Sequence, residues 1–186
     1  MVELGSAIAA AVGRARQERG WSTQELADRS GVSRSMISKI EREAVQPTAV
    51  LLGRLSGALG LTLTDLLGQA ETQDQLLSRA DNQPVWVDPS TGYRRRAVSP
   101  TGAPTIQIVE IELPPGARVP YPADSYRFVD HQILVLEGTL TFEEAGITHI
   151  LGAGDCLQLG APADCVYQND GDCPSRYLVV LARRPH

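Results

Sequence analysis

Ser33, Arg34, Ser35, Ser38, Lys39 and Arg42 are the residues of this chain whose types and spacing most readily do chemistry. They are interleaved with Met36, Ile37 and Ile40, which recur at helical spacing and must face a core. The face left outside is small, polar and basic, with no acid before Glu41. Small side chains let a helix approach base edges, while arginine and lysine reach guanine or phosphate. The chemistry in view is hydrogen bonding to a nucleic-acid duplex. A solvated face on an ordinary helix is the plainer alternative, but such faces more often interleave glutamates with their cations.

The elements that must position these residues carry their own start and stop signals. Trp21 to Glu41 reads WSTQELADRSGVSRSMISKIE. Ser22 is placed as an N-cap, with Glu25 closing a capping box and Trp21 and Leu26 forming a hydrophobic staple. The helix stops near Ser30, where Gly31 tolerates a left-handed backbone. Ser33 caps the next helix, with Val32 and Ile37 as its staple. Two short helices joined at a glycine form the helix-turn-helix arrangement, which sets the second helix into the DNA major groove. A helix from about Val2 to Glu18, ended by Gly20, is expected before this pair. A fourth is expected to open near Pro47 and Thr48, bury Leu51, Leu52, Leu55, Ala58 and Leu59, and end at Gly60. A fifth begins at Thr62, with Asp65 completing another box and Leu61 with Leu66 another staple. Leu63, Leu66 and Leu67 are then available to meet a second subunit.

Residues from about Leu4 to Leu67 resemble the Cro/repressor-type (xenobiotic-response-element) helix-turn-helix family. The resemblance covers ARQERGWSTQELADRSGVSRSMISKIERE, the QPT before the fourth helix and the closing LSGALGLTLTDLL. It implies a phosphate contact from Gln24 at the start of the second helix, beside Thr23. It implies base reading by Ser33, Arg34, Ser35, Ser38 and Lys39, and a phosphate contact from Arg42.

Length and charge bound the rest. The 186 residues leave room for a second core beyond the helical part. No apolar run approaches the ~20 residues that cross a bilayer, and no signal peptide is apparent at the N-terminus. Cys156, Cys165 and Cys173 are an odd number clustered late, unlike a disulfide framework. The expected setting is the cytoplasm, with reduced thiols. Net charge is −5, divided as +1 over residues 1–69 and −6 over the remainder. Bulk attraction to DNA is therefore weak, and binding must come from a local basic face doubled by dimerisation.

The segment 69–83 is polar and reads as a linker, partly helical. Beyond it the helical period gives way to short strands bounded by glycine and proline turns. They are expected at 85–87, 105–113, 132–136, 139–142, 155–159 and 176–181, which argues for an all-β sandwich or barrel. Gly116, Leu136-Glu137-Gly138, Gly152-Ala153-Gly154-Asp155 and Asn169 give the stretch 106–181 a resemblance to the cupin barrels. In that family two close histidines, a glutamate and a later histidine hold a metal. Here Tyr121-Pro122-Ala123-Asp124 stands at the pair, His131 at the glutamate and Cys165 at the last histidine. Asp124, His131 and Cys165 are all ligand types for zinc or iron. Their departures from the pattern favour hydrogen-bonding roles, so no metal and no cofactor is expected. Tyr121, Asp124, His131, Cys165 and Tyr167 are candidates to line the barrel mouth, with Arg118 or Arg127 to meet an acidic group. Cys165 is read as a small buried residue, not a redox sensor. In Arg94-Arg95-Arg96 the middle residue faces away from its neighbours, and a solvated edge strand is the expected setting.

The fold class expected is α+β in two separate domains. A five-helix helix-turn-helix bundle spans 1–68, a linker 69–83, and an all-β cupin barrel (double-stranded β-helix) 84–186. The function expected is a transcriptional repressor, a homodimer on a two-fold-related operator, with a small-molecule effector in the barrel. The alternatives are a metal-dependent cupin enzyme tethered to DNA and a barrel that serves only to dimerise. No membrane partner is expected.

Overall fold

The computed structural model of the chain describes residues 4–68, 76–100 and 105–184. The helices are α1 (Leu4–Glu18), α2 (Thr23–Ser30), α3 (Arg34–Glu41), α4 (Ala49–Leu59) and α5 (Leu63–Gly68). The capping chemistry is as the sequence implies. Ser22 accepts from the Glu25 N–H while the Glu25 carboxylate accepts from the Ser22 N–H. Ser33 accepts from Met36 and Thr48 from Leu51, and Thr62 and Asp65 cap each other reciprocally. Gly31 and Gly60 take left-handed conformations at the ends of α2 and α4. The expected start of the first helix at Val2 lies outside the described residues. None of the described helices is long and apolar enough to cross a membrane.

Ile8, Val12, Leu26, Ile37, Ile40, Leu52, Leu55, Leu59 and Leu66 form the core of the bundle. α4 is buried on a second face too, through Gly53, Ser56 and Gly57. That face meets the β-rich part. A Cβ on Gly53 would lie 2.7 Å from Tyr121 Cδ1, and one on Gly57 would lie 2.9 Å from the Asp124 backbone. Both positions therefore need glycine for close approach, not for backbone freedom.

The described residues that follow form ten strands: β1 (Val85–Val87), β2 (Arg94–Ala97), β3 (Ile106–Leu113), β4 (Arg118–Tyr121), β5 (Val129–Glu137), β6 (Thr139–Glu144), β7 (Ile147–Gly152), β8 (Cys156–Gln158), β9 (Cys165–Gln168) and β10 (Ser175–Arg183). One sheet runs β1-β2-β3-β10-β5-β8 and the other β4-β9-β6-β7, with antiparallel pairing throughout. From β3 to β10 this is the strand order of a jelly roll, the topology of cupin barrels. Alternate side chains fill the interior, among them Val109, Ile111, Val119, Ile133, Val135, Leu140, Phe142 and Val179. Gly138 has φ 75°, and a Cβ there would lie 2.8 Å from the Pro174 carbonyl oxygen. Buried Asn169 donates to the Leu113 and Cys173 carbonyls and accepts from the Gly171 N–H, tying three chain segments together.

β4, β7 and β9 were not among the expected strands. Pro120 obscures β4, and it is tolerated because β4 is an edge strand. β7 is the opposite edge and turns only Leu151 fully inward, so its alternation is weak. β9 has only Cys165 and Tyr167 as inward residues.

The two domains are not joined by a linker alone. Asp88 of the β1–β2 turn accepts from the Ala49 N–H at the start of α4, 3.1 Å away. Asp65 accepts from Gln107 of β3 and Arg183 of β10, and Thr62 donates to Gln107. Ser125 donates to the Gly53 carbonyl. The buried apolar residues of both parts form one cluster. Three expectations change accordingly. Leu63, Leu66 and Leu67 are already buried within the chain, so they offer no face to a second subunit. β2 is flanked by β1 and β3, so the arginine run is not on an edge. Arg95 is buried, while Arg94 and Arg96 pair with Glu112 and Glu110 outside. Of the linker, residues 69–75 lie outside those described, and Ala80–Asn82 forms a 3₁₀ turn.

Candidate nucleic-acid interface and barrel cavity

α3 presents the basic face. Ser33, Arg34, Ser35, Lys39 and Arg42 are exposed and Ser38 is half-buried, while Ile37 and Ile40 anchor the opposite side. The acid at the end of the helix does not dilute this face. Glu41 turns inward, where its carboxylate accepts two hydrogen bonds from Arg16 of α1 at 2.7 and 3.0 Å. Among the described residues no carboxylate lies within ion-pair distance of Arg34, Lys39 or Arg42. Gln24 is exposed on α2 and donates to Asp28 at 2.8 Å, with half-buried Thr23 beside it. α3 packs chiefly on α1 and α2, whereas α4 meets the barrel. The basic rod therefore does not lie beneath the β-rich part.

The second site is a partly open cavity of about 40 Å³ between α4 and the barrel. Tyr121, His131 and Tyr167, all expected at the barrel mouth, line it. So do Tyr93, Arg95, Tyr126 and Tyr177, which sequence reasoning missed, with Gly53 and Ser56 as the α4 wall. The signal for Arg95 was present in its parity on β2, opposite inward-facing Trp86. Tyr121 meets Tyr126 and Tyr167 edge to face, Tyr126 lies tilted 5.0 Å from His131, and Tyr167 stacks on Tyr177. The Tyr167 hydroxyl is 3.3 Å from His131 Nε2.

Arg118, Asp124 and Cys165 do not line the cavity. Arg118 is exposed and pairs with Glu143 at 3.7 Å. Asp124 is exposed and pairs with Arg127 at 2.6 Å, so neither is aimed at the cavity. Cys165 is buried on a neighbouring cleft between α4 and β4, β6 and β9. Asp124, His131 and Cys165 do not converge. Among the described residues no three His, Cys, Asp or Glu side chains group closely enough to hold a metal ion.

Burial governs the titration of these groups. The Tyr121, Tyr126, Tyr167 and Tyr177 phenols are all pushed above the ordinary tyrosine range by desolvation. Desolvation, helped by the charge of Arg95, lowers His131 to about 3. Between that value and the ordinary 6.5, the unfolded chain takes up a proton that the folded chain refuses. His131 should therefore cost stability as pH falls through that window, by up to about 1.4 kcal/mol per pH unit. The urea midpoint of wild type should therefore fall faster on acidification than that of His131→Gln. Parallel curves would contradict the assignment.

Burial raises the Cys165 thiol to about 12, whereas Cys156 and Cys173 are exposed and free. Iodoacetamide on the native protein should therefore label Cys156 and Cys173 and spare Cys165 until denaturant is added. Rapid native labelling of Cys165 would show that its cleft opens.

Comparison with known proteins agrees with both halves. Residues 12–66 match the HTH_3 helix-turn-helix family. Over 172 residues, 92% of each chain, the sequence is 22% identical to the HTH-type transcriptional regulator SutR of Escherichia coli (strain K12). A stretch of 75 residues, 40% of each chain, is 32% identical to the HTH-type transcriptional regulator PuuR of the same organism. An HTH_3 family transcriptional regulator from Vibrio cholerae has the same overall fold, with a TM-score of 0.80 at 22% identity over 98% of both chains. Residues 12–66 thus form an HTH_3-type helix-turn-helix domain, and a cupin-type jelly roll follows it.

Proposed function

We propose that the chain is a cytoplasmic, sequence-specific repressor that binds a two-fold-related operator as a homodimer and senses a small molecule at the barrel. The observation that carries the reading is the exposed cationic face of α3, without a carboxylate partner among the described residues, on a bundle whose other side, α4, walls the barrel cavity. A ligand there touches the same helix bundle that presents α3. Its effect on DNA is bounded by its difference in affinity between the two headpiece placements. Val85 and Val87 on edge strand β1, and Ile147 and Ile150 on edge strand β7, are exposed apolar surfaces available for pairing two chains. The scattered donor set favours sensing over metal-dependent catalysis.

Protection mapping on genomic fragments tests the reading. Two protected half-sites about 10–10.5 bp apart, centre to centre, are expected at physiological salt. No footprint on any fragment would overturn it. Sedimentation of the free protein as a monomer at the concentration that gives the footprint would remove the homodimer.

A further inference from the structure

We propose that the cavity between headpiece and barrel is a binding site for a small planar oxyanion, chemically a carboxylate, with Arg95 as its counter-charge and α4 as its lid. The proposal deepens the sensing role given above and rests on it only for the consequence at DNA.

The first observation is a buried cation without an anion. Arg95 is 6% exposed. Its guanidinium donates to Thr64 Oγ1 at 2.7 Å and to the Tyr93 hydroxyl at 3.4 Å, both neutral. Among the described residues no carboxylate pairs with it. An isolated buried charge is strongly unfavourable, and arginine cannot escape by deprotonation. The second observation is a pair of unsatisfied groups on the same wall. The Tyr121 hydroxyl and His131 Nδ1 are buried and meet no partner of hydrogen-bonding geometry. The Tyr167 hydroxyl lies 3.3 Å from His131 Nε2, and in the tautomer in which Tyr167 donates to Nε2 it is Nδ1 that carries the proton. A guanidinium, a phenol and an imidazole N–H then surround one space as donors. A carboxylate accepts from all three and matches the planar fork of arginine.

Size narrows the class further. The cavity of about 40 Å³ has room for about three water-sized groups at ~10–15 Å³ each. Formate or acetate fits that room. A bulkier acid must lift α4, because Gly53 already lies against the Tyr121 ring with no space for a methyl group. Small acids therefore seal the headpiece against the barrel, and larger ones part them.

The test is a thermal-unfolding titration of the full chain with sodium formate, acetate and nitrate, each against sodium chloride at equal ionic strength. A saturable rise in midpoint with formate or acetate that chloride does not reproduce is expected. A nitrate response equal to acetate would assign the site to planar oxyanions from either an organic or an inorganic source. Arg95→Met should fold, since replacing an unpaired buried charge by an apolar side chain is not destabilising in itself, and should bind acetate at least ten-fold more weakly. Tyr121→Phe should weaken binding by roughly two- to ten-fold. Arg118→Met, outside the cavity, should bind as wild type. No saturable response to any of the three anions, or an undiminished response in Arg95→Met, overturns the proposal. Operator affinity is measured in parallel. Acetate binding without any change at DNA would keep the site and remove the sensing role. Another small molecule shifting operator affinity while no anion binds would do the reverse.

Discussion

Asp88→Ala should destabilise the protein by about 3 kcal/mol and loosen the headpiece from the barrel. Asp88 is buried in the β1–β2 turn and its carboxylate serves two structures. Oδ1 accepts from the Ala49 N–H at 3.1 Å, one of the unpaired donors at the start of α4. Oδ2 accepts from the Ser90 and Thr91 hydroxyls at 2.7 and 2.6 Å and from the Thr91 N–H at 3.2 Å. The negative charge also suits a helix N-terminus. Alanine leaves the buried Ala49 N–H unmet and removes three part-buried hydrogen bonds from Ser90 and Thr91, each worth of order 1 kcal/mol. Against a domain stability of about 5–15 kcal/mol this is a large fraction. Asp88→Asn keeps an acceptor for Ala49 and should recover part of the loss. Urea unfolding gives the energy, and amide exchange in the first turn of α4 gives its location. An unchanged exchange rate at α4 would mean that the turn, and not the domain seam, is what Asp88 supports.

Arg34→Ala should lower operator affinity by about 1–3 kcal/mol, the worth of a good bidentate contact to a guanine edge. Arg34 is the first residue of α3, exposed and without an ion-pair partner among the described residues. Nothing in the free protein has to be broken before it reaches DNA. Arg42 lies at the other end of the helix, where its Nε donates to the Ser38 carbonyl at 3.0 Å. Arg42→Ala should weaken binding evenly across sequences and reduce the salt slope by about 1, as a phosphate contact does. Arg34→Ala should instead relax the preference at one base-pair position. Anisotropy titrations on the operator and on single-base variants separate the two. Wild-type affinity and preference in Arg34→Ala would remove it from the reading set.

The bundle was legible in the sequence because its signals are local. Caps at Ser22, Ser33, Thr48 and Thr62, and stops at Gly31 and Gly60, each involve residues no more than a turn or two apart. The jelly roll was legible through its turns, Gly116, Gly138, Gly154 and Asn169, more than through its strands. The edge strands β4 and β7 gave weak patterns because an edge tolerates proline and outward apolar residues. The cavity was legible only in part. Tyr121, His131 and Tyr167 were expected there, while Arg118, Asp124 and Cys165 were placed elsewhere by partners that no spacing reveals.

By itself the sequence determined that a helix-turn-helix headpiece precedes an all-β barrel, and which face of α3 is basic. Periodicity and capping act over a few residues, so the chain states them directly. Only the tertiary structure decided that α4 has two buried faces, that Glu41 is withdrawn from the basic surface by Arg16, and that Arg95 meets no carboxylate among the described residues inside the seam. Those outcomes depend on residues brought together across long stretches of chain, such as Arg95 with Thr64 and His131 with Tyr167. The free energy of such contacts comes from burial against partners that local pattern cannot name.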